Sequence, residues 1–262
     1  MEAQPGMVLS IYLDRSRDVS LAYGDPAPLH RDLDLHLLAN GIAYDDFTRN
    51  GVRDGLSALA LIIVSRPRFA TFGWTLSLQA PARNFFWTGS ASEGTVVGRA
   101  FLENVQESPR NLFFVQTSRT FGDLQTSSVE VEGTGVFSIV EQFCERSDQQ
   151  PARFFNRGDR VALLTVFPDG DREWVRAAGA PEIFEREGTE DLKLIGEKEI
   201  VFRCGCDRDR IASILATLYR DAEEDLFQGD GEVEAECPRC GAKHVISREL
   251  FREAGQRGAR PD

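Results

Sequence analysis

Ile200-Val201-Phe202-Arg203-Cys204-Gly205-Cys206 and, beyond a thirty-residue spacer, Cys237-Pro238-Arg239-Cys240-Gly241 decide how this chain is built. Four of the five cysteines fall in these two tight pairs, while Cys144 stands alone. The first residues, Met1-Glu2-Ala3-Gln4-Pro5-Gly6, carry no basic segment and lead into no secretory apolar stretch, so a cytoplasmic protein is expected. There thiols stay reduced, and paired cysteines point to a metal before they point to a disulfide. Four thiolates in two close pairs suit tetrahedral zinc. Each pair can converge on one ion, the spacer folds back to join them, and Gly241 lets backbone N–H groups approach the sulfurs. The expectation is one zinc per chain, held by Cys204, Cys206, Cys237 and Cys240. His244, four residues after Cys240, could substitute as a ligand, but with four thiols present it is assigned a place at the surface or behind the ligands.

The spacer reads as structured. Ile211, Ile214, Leu215 and Leu218 recur at i, i+3, i+4, i+7, which predicts a helix with this face apolar. Asp221 and Glu224 form a variant capping box that opens a second short helix toward Phe227. Gly229-Asp230-Gly231 turns the chain into a strand over Glu232–Glu236. Residues 200–262 thus form a small zinc-binding module of helices and a hairpin. A domain of this size has a thin core and ordinarily needs a staple. Structural zinc supplies about 10–16 kcal/mol of apparent binding free energy, as much as the whole stability of an ordinary domain, about 5–15 kcal/mol. The metal therefore decides whether the module is folded.

Upstream, an α+β organisation is predicted: an N-terminal domain over residues 1–179 with mainly antiparallel strands and a central helix, then a linker over 180–199. Short strands read at Val8–Leu13 and Val19–Tyr23, with a turn at Gly24-Asp25-Pro26. Leu29, Leu33, Leu37 and Leu38 mark a helix stopped by Gly41. Asp45–Ser65 is a second helix, ended by Pro67 and buried from Leu56 onward. Strands follow at Thr71–Gln79, Asn84–Thr88, Thr95–Leu102, Leu112–Ser118 and Leu124–Val131. Gly135–Arg146 is amphipathic, with Phe137, Val140, Phe143 and Cys144 on one face, which makes Cys144 a core residue. Arg160–Phe167 and Arg172–Ala177 read as a hairpin around Pro168-Asp169-Gly170. From Ala180 to Lys198 the composition turns charged and irregular.

Composition narrows the function. Of 262 residues, 30 are Lys or Arg and 42 are Asp or Glu, a net charge of −12. This disfavours nucleic acid as a partner, because phosphates need a basic face. The longest apolar run, Leu56 to Val64, is nine residues against the ~20 needed to cross a bilayer, so no membrane span is expected. No phosphate loop, nucleophile elbow or H-E-x-x-H motif occurs, and four cysteines would close the zinc to substrate, so no enzyme is expected. His30 and His36, six residues apart, are read as ordinary helix-surface residues.

Phe202-Arg203-Cys204-x-Cys206-x-Arg208 with Cys237-x-x-Cys240-Gly241 resembles the zinc domain of the 33-kilodalton heat-shock protein family, redox-regulated bacterial holdase chaperones. The spacer length and Asp230-Gly231-Glu232 fit the same pattern, as do Val140-Glu141-Gln142-Phe143 and Arg146-Ser147-Asp148-Gln149-Gln150-Pro151-Ala152-Arg153, where Asp148 replaces the usual glutamate. The N-terminal part matches only in pattern, and the linker is shorter than the family usually carries. The resemblance implies that oxidants convert the site to the local disulfides Cys204–Cys206 and Cys237–Cys240, that zinc leaves, and that the opened protein holds unfolding clients. It also implies a homodimer in the active form. Within the module, Ile211, Ile214, Leu215 and Leu218 are the candidate client-binding residues. The acidic spacer, net −7 from Asp207 to Glu236, would keep the opened form soluble. The rival reading is a constitutive zinc-ribbon adaptor or RNA-binding protein in transcription or translation, whose basic tail, net +3 from Cys237 onward, could touch RNA.

Overall fold

The computed structural model describes residues 5–66, 71–103, 105, 109–119 and 122–258. Pro67, read as a helix stop, and residues 1–4 and 259–262 of the two termini lie outside the described residues. The chain forms two compact units. One comprises the residues up to Leu35 together with Ala43–Arg203, and the other His36–Ile42 together with the residues from Cys204 onward.

The larger unit is built on a ten-stranded sheet. Strands β1 (Met7–Asp14) and β2 (Val19–Gly24) form an antiparallel hairpin. Helix α1 (Ala27–Ala39) begins in this unit and crosses into the smaller one at His36. Next come α2 (Asp46–Ser65) and strands β3 (Thr71–Gln79), β4 (Ala82–Ser90), β5 (Thr95–Phe101), β6 (Asn111–Ser118) and β7 (Gln125–Val131), with β6 crossing back to pair with β3. Helix α3 (Val136–Arg146), strands β8 (Ala152–Arg157) and β9 (Arg160–Val166), the short helices α4 (Arg172–Ala177) and α5 (Ala180–Glu185), and β10 (Lys193–Phe202) complete the unit. The strand order is β7-β6-β3-β4-β5-β10-β1-β2-β9-β8. Every neighbouring pair is antiparallel except β10 with β5, a short parallel junction at Val201 and Phe202.

Helix α2 is the central buried helix that the sequence predicts. Asp45 caps it, its carboxylate accepting from the Thr48 N–H at 2.7 Å. Leu56 to Val64 are all buried. Two helical glycines permit close approach to the sheet: a Cβ on Gly51 would press on the Phe85 ring, and one on Gly55 would overlap the Trp87 indole. The Trp87 N–H donates to the Val52 carbonyl at 3.0 Å, so the indole is satisfied although fully buried.

Two stretches differ from their sequence reading. Arg172–Ala177 is helix α4 rather than a strand, and the hairpin partner of β9 is β8. Asp171 caps α4 through the Trp174 N–H at 3.0 Å, a local bond that redirects the chain after the turn. The stretch read as an irregular linker folds as α5 and the greater part of β10, which lies between β1 and β5 inside the sheet. Helices α4 and α5 bring Val175 and Ile183 into a buried cluster with Leu21, Tyr23 and Leu164, and the Tyr23 hydroxyl donates to the Ile183 carbonyl at 2.8 Å. Its charges hid β10: Lys193, Glu197 and Glu199 are exposed, and the register with β1 is set by residues far away in sequence.

The smaller unit contains α6 (Arg208–Leu218), α7 (Glu223–Phe227), the hairpin β11 (Glu232–Glu236) and β12 (Lys243–Ser247), and α8 (Arg248–Gly258). Helix α6 packs on α8, and Phe227 meets Phe251 edge-on with ring centroids 5.5 Å apart. The predicted apolar stripe of α6 is only partly its inner face. Ile211, Ala212 and Ala216 are buried, Leu215 is half-buried, and Ile214 and Leu218 are 42% and 71% exposed. Small Ala212 and Ala216 are buried beside Ile211, and a Cβ on Gly255 of α8 would stand 3.8 Å from the Ala216 methyl, a signal that a search for large apolar residues passes over. Ala222, not Asp221, is the N-cap of α7, and no side chain caps it.

Candidate metal centre

Both cysteine pairs sit at the ends of regular elements. Cys204 and Cys206 lie between the end of β10 and the start of α6. Gly205 between them has a φ of +67°, a left-handed turn that glycine makes without strain. Asp207 follows as the N-cap of α6, accepting from the Arg210 N–H at 2.8 Å, and so fixes the backbone just past Cys206. Cys237 directly follows β11, and the turn Pro238-Arg239-Cys240-Gly241 leads to β12. The Gly241 N–H donates to the Cys237 carbonyl and the Cys237 N–H to the Ala242 carbonyl, both at 2.8 Å, with Gly241 at a φ of +77°. This is the knuckle that the Gly241 reading anticipates.

The four sulfurs lie within 4.8 Å of one another. Cys204 to Cys237 and Cys206 to Cys240 are each 3.6 Å apart. A disulfide needs about 2.05 Å, and all four thiols are free. Tetrahedral zinc with Zn–S bonds of about 2.3 Å sets sulfurs about 3.8 Å apart, so the donor set and spacing fit such an ion. Cys237 and Cys240 are buried, and Cys204 and Cys206 are half-buried.

Four thiols this close cannot all ionise on their own. Bonds donated by Cys204 and Cys240 hold Cys237 far below the usual thiol range. The bond to Cys237 pushes Cys204 up, bonds with Cys204 and Cys237 push Cys240 up, and burial pushes Cys206 up to about 12. A divalent cation reverses this by attracting each thiolate, so metal binding would release protons.

Two further groups reach the backbone of the site. Arg239 Nη1 donates to the Cys204 carbonyl at 3.3 Å. His36, at the end of α1 that belongs to this unit, contacts the Cys240 carbonyl through Nε2 at 2.9 Å. The carbonyl can only accept, so Nε2 carries the proton, and Nδ1 faces the Asn40 amide at 3.4 Å. The reading of His36 as an ordinary surface residue is therefore corrected. No sequence signal marks it, because 204 positions separate it from Cys240. His30 is half-buried, 2.9 Å from the Ser57 hydroxyl, and burial lowers its pKa. His244 lies on β12 opposite Ala235, outside the four-sulfur cluster. Cys144 is a buried residue of α3; Arg66 donates to its sulfur at 3.3 Å, yet burial pushes the thiol up to about 11.

A family model described as Hsp33 protein matches residues 159–247. The 33 kDa chaperonin of Pectobacterium carotovorum is 30% identical over 154 residues, covering 49% of this chain and 53% of the relative. That of Vibrio cholerae is 27% identical over 149 residues, covering 47% and 51%. The chain thus spans about half the length of the curated relatives it matches. In fold it is similar to the crystal structure of the 33 kDa chaperonin from Thermotoga maritima, with a TM-score of 0.70 and 15% identity over 97% of this chain and 99% of that one. No helix among the described residues is long and apolar enough to cross a membrane.

Proposed function

The family model, the curated relatives and the fold together support the 33-kilodalton heat-shock protein family for this chain, and from that premise we propose that it is a holdase chaperone switched on by oxidation of a four-cysteine zinc site. The observation that carries the redox reading is the cluster of four free, converging sulfurs. Zinc bound there would keep all four as thiolates, the form that oxidants attack. Cys204 and Cys206 are the half-buried pair and the ones that peroxide reaches first.

Each pair of thiolates gives two electrons to one peroxide. A sulfur–sulfur bond forms, the oxygen–oxygen bond breaks, and two protons from solvent complete two waters. By family resemblance the bonds are Cys204–Cys206 and Cys237–Cys240. Disulfide sulfur is a poor zinc ligand, so once Cys204, Cys206, Cys237 and Cys240 are oxidised they would no longer hold a zinc ion, and the smaller unit would lose the free energy that such an ion supplies. Its core, including Ile211, Phe227 and Phe251, then meets water and joins half-buried Leu215 and exposed Ile214 and Leu218 as surface for unfolding clients. A reducing compartment such as the cytoplasm would keep the site loaded until oxidants arrive. The client reading and the dimer of the active form come from the family rather than from this geometry.

The test is light scattering from a heat-aggregating client enzyme. Protein treated with hydrogen peroxide suppresses scattering at near-stoichiometric ratios, and zinc-loaded reduced protein leaves it unchanged. Equal scattering in the two samples contradicts the switch.

A further inference from the structure

Strands β7 and β8 end the ten-stranded sheet, and among the described residues each leaves one edge without a neighbouring strand. Helix α3 closes part of both edges. Just past β7, Gln142 donates to the Glu132 carbonyl and accepts from the Glu132 N–H, both at 2.9 Å. Arg146 donates to the Glu130 carbonyl at 2.6 Å. Across the gap, Glu141 accepts from the Phe154 N–H of β8 at 2.7 Å. Gln125–Ser128, ahead of the stretch that these bonds close, are all exposed.

A cavity of about 530 Å³ opens beside them. Gln125 and Ser127 line it from one end of the sheet and Ala152 from the other. Val115, Phe143 and Val166 give it apolar wall, and all three are buried. Arg66 and Asp148, which pair with each other, also line it.

We propose that Gln125–Ser128 is where an unfolding client docks, as an extended strand added to the free edge of β7 with alternate side chains entering the cavity. The inference rests on the chaperone reading and gives it a surface on the larger unit. A row of main-chain donors and acceptors binds an extended chain through groups that every polypeptide shares, so recognition is independent of sequence, as a holdase requires. The cavity has the size of a site for an apolar group. Four residues of strand span about 13 Å, so the footprint is short and the hold reversible. Natural sheets ordinarily block such edges with lysine, proline or a covering element. Here Gln125-Thr126-Ser127-Ser128 contains no charge and no proline, while α3 closes the stretch that follows.

Two experiments on the full, peroxide-treated chain test this. The first is the double variant Thr126→Lys with Ser128→Lys, both on the face opposite the cavity-lining Gln125 and Ser127. It should release zinc with peroxide as the unsubstituted protein does and lose most of its suppression of client aggregation. The second places a photo-crosslinking phenylalanine analogue at Ser128, with Glu93 on an exposed turn as control. Capture of a heat-unfolding enzyme at Ser128 and not at Glu93 supports the site. Undiminished holding by the lysine variant, or capture only of a second copy of this chain, overturns it. If the unsubstituted protein itself fails to hold client, the chaperone reading falls and takes this inference with it; the other failures leave that reading intact.

Discussion

His36 and the four cysteines show what a sequence reveals about a site and what it hides. The convergence of the four sulfurs was legible because two tight pairs of soft donors are the pattern a tetrahedral metal site requires. His36 was not, since only the fold brings its ring to the Cys240 carbonyl. Losing one such bond costs about 1 kcal/mol, or about fivefold in an equilibrium. His36→Ala should therefore hasten zinc transfer to a colorimetric chelator severalfold while leaving one zinc bound per chain at the start; an unchanged rate would leave the contact without consequence. Asp54 is a second residue that pattern alone could not mark. Burial pushes its carboxyl up to about 6, from about 4 in an unfolded chain. Between those values the folded state binds the extra proton, so stability falls as pH rises and the penalty is complete above about pH 6. Asp54→Asn should raise the thermal midpoint at pH 7, with the gain shrinking toward pH 4. A gain that stayed constant over that range would exclude this titration as its cause.

Among the elements, α2 was legible almost to the residue, from the Asp45 cap to Ser65, because its apolar run and capping residue are local signals. What the sequence could not convey is how closely α2 lies on the sheet. Gly51 and Gly55 look like weak helix residues, yet they face Phe85 and Trp87 where a side chain would collide. Intrinsic propensity alone would make Gly55→Ala stabilising by about 1 kcal/mol; overpacking against Trp87 costs about 1–3 kcal/mol or more. The substitution should therefore lower the denaturant midpoint measured by tryptophan fluorescence, and a rise would mean that the indole is free to move aside. Strand β10 was missed for the opposite reason. Its charges imitate a solvated connector, while its pairing with β1 joins the two ends of the unit's sequence. In α6 the periodicity was right and the face only half right, because alanines carry the contact with α8. The strands from β3 to β7 were the easiest part, since glycine or proline separates most of them and β3, β4 and β6 alternate in burial.

At the scale of the molecule, an acidic chain with net charge −12 carries a small unit whose core, among the described residues, comprises Leu37, Ile211, Phe227, Ile246, Phe251, a few alanines and two of the cysteines. On the proposed reading such a unit depends on a bound metal, whereas the larger one rests on a ten-stranded sheet and the buried helix α2. The two should therefore part company on oxidation, the smaller melting while the larger keeps its fold. The most direct measurement counts zinc and free thiols on the same samples as peroxide is added. The expected result is loss of one zinc per chain together with four thiols, leaving Cys144 as the single thiol still titrated after denaturation. Zinc that stays bound while client holding appears, or a preparation that binds no zinc when folded and reduced, would contradict the switch.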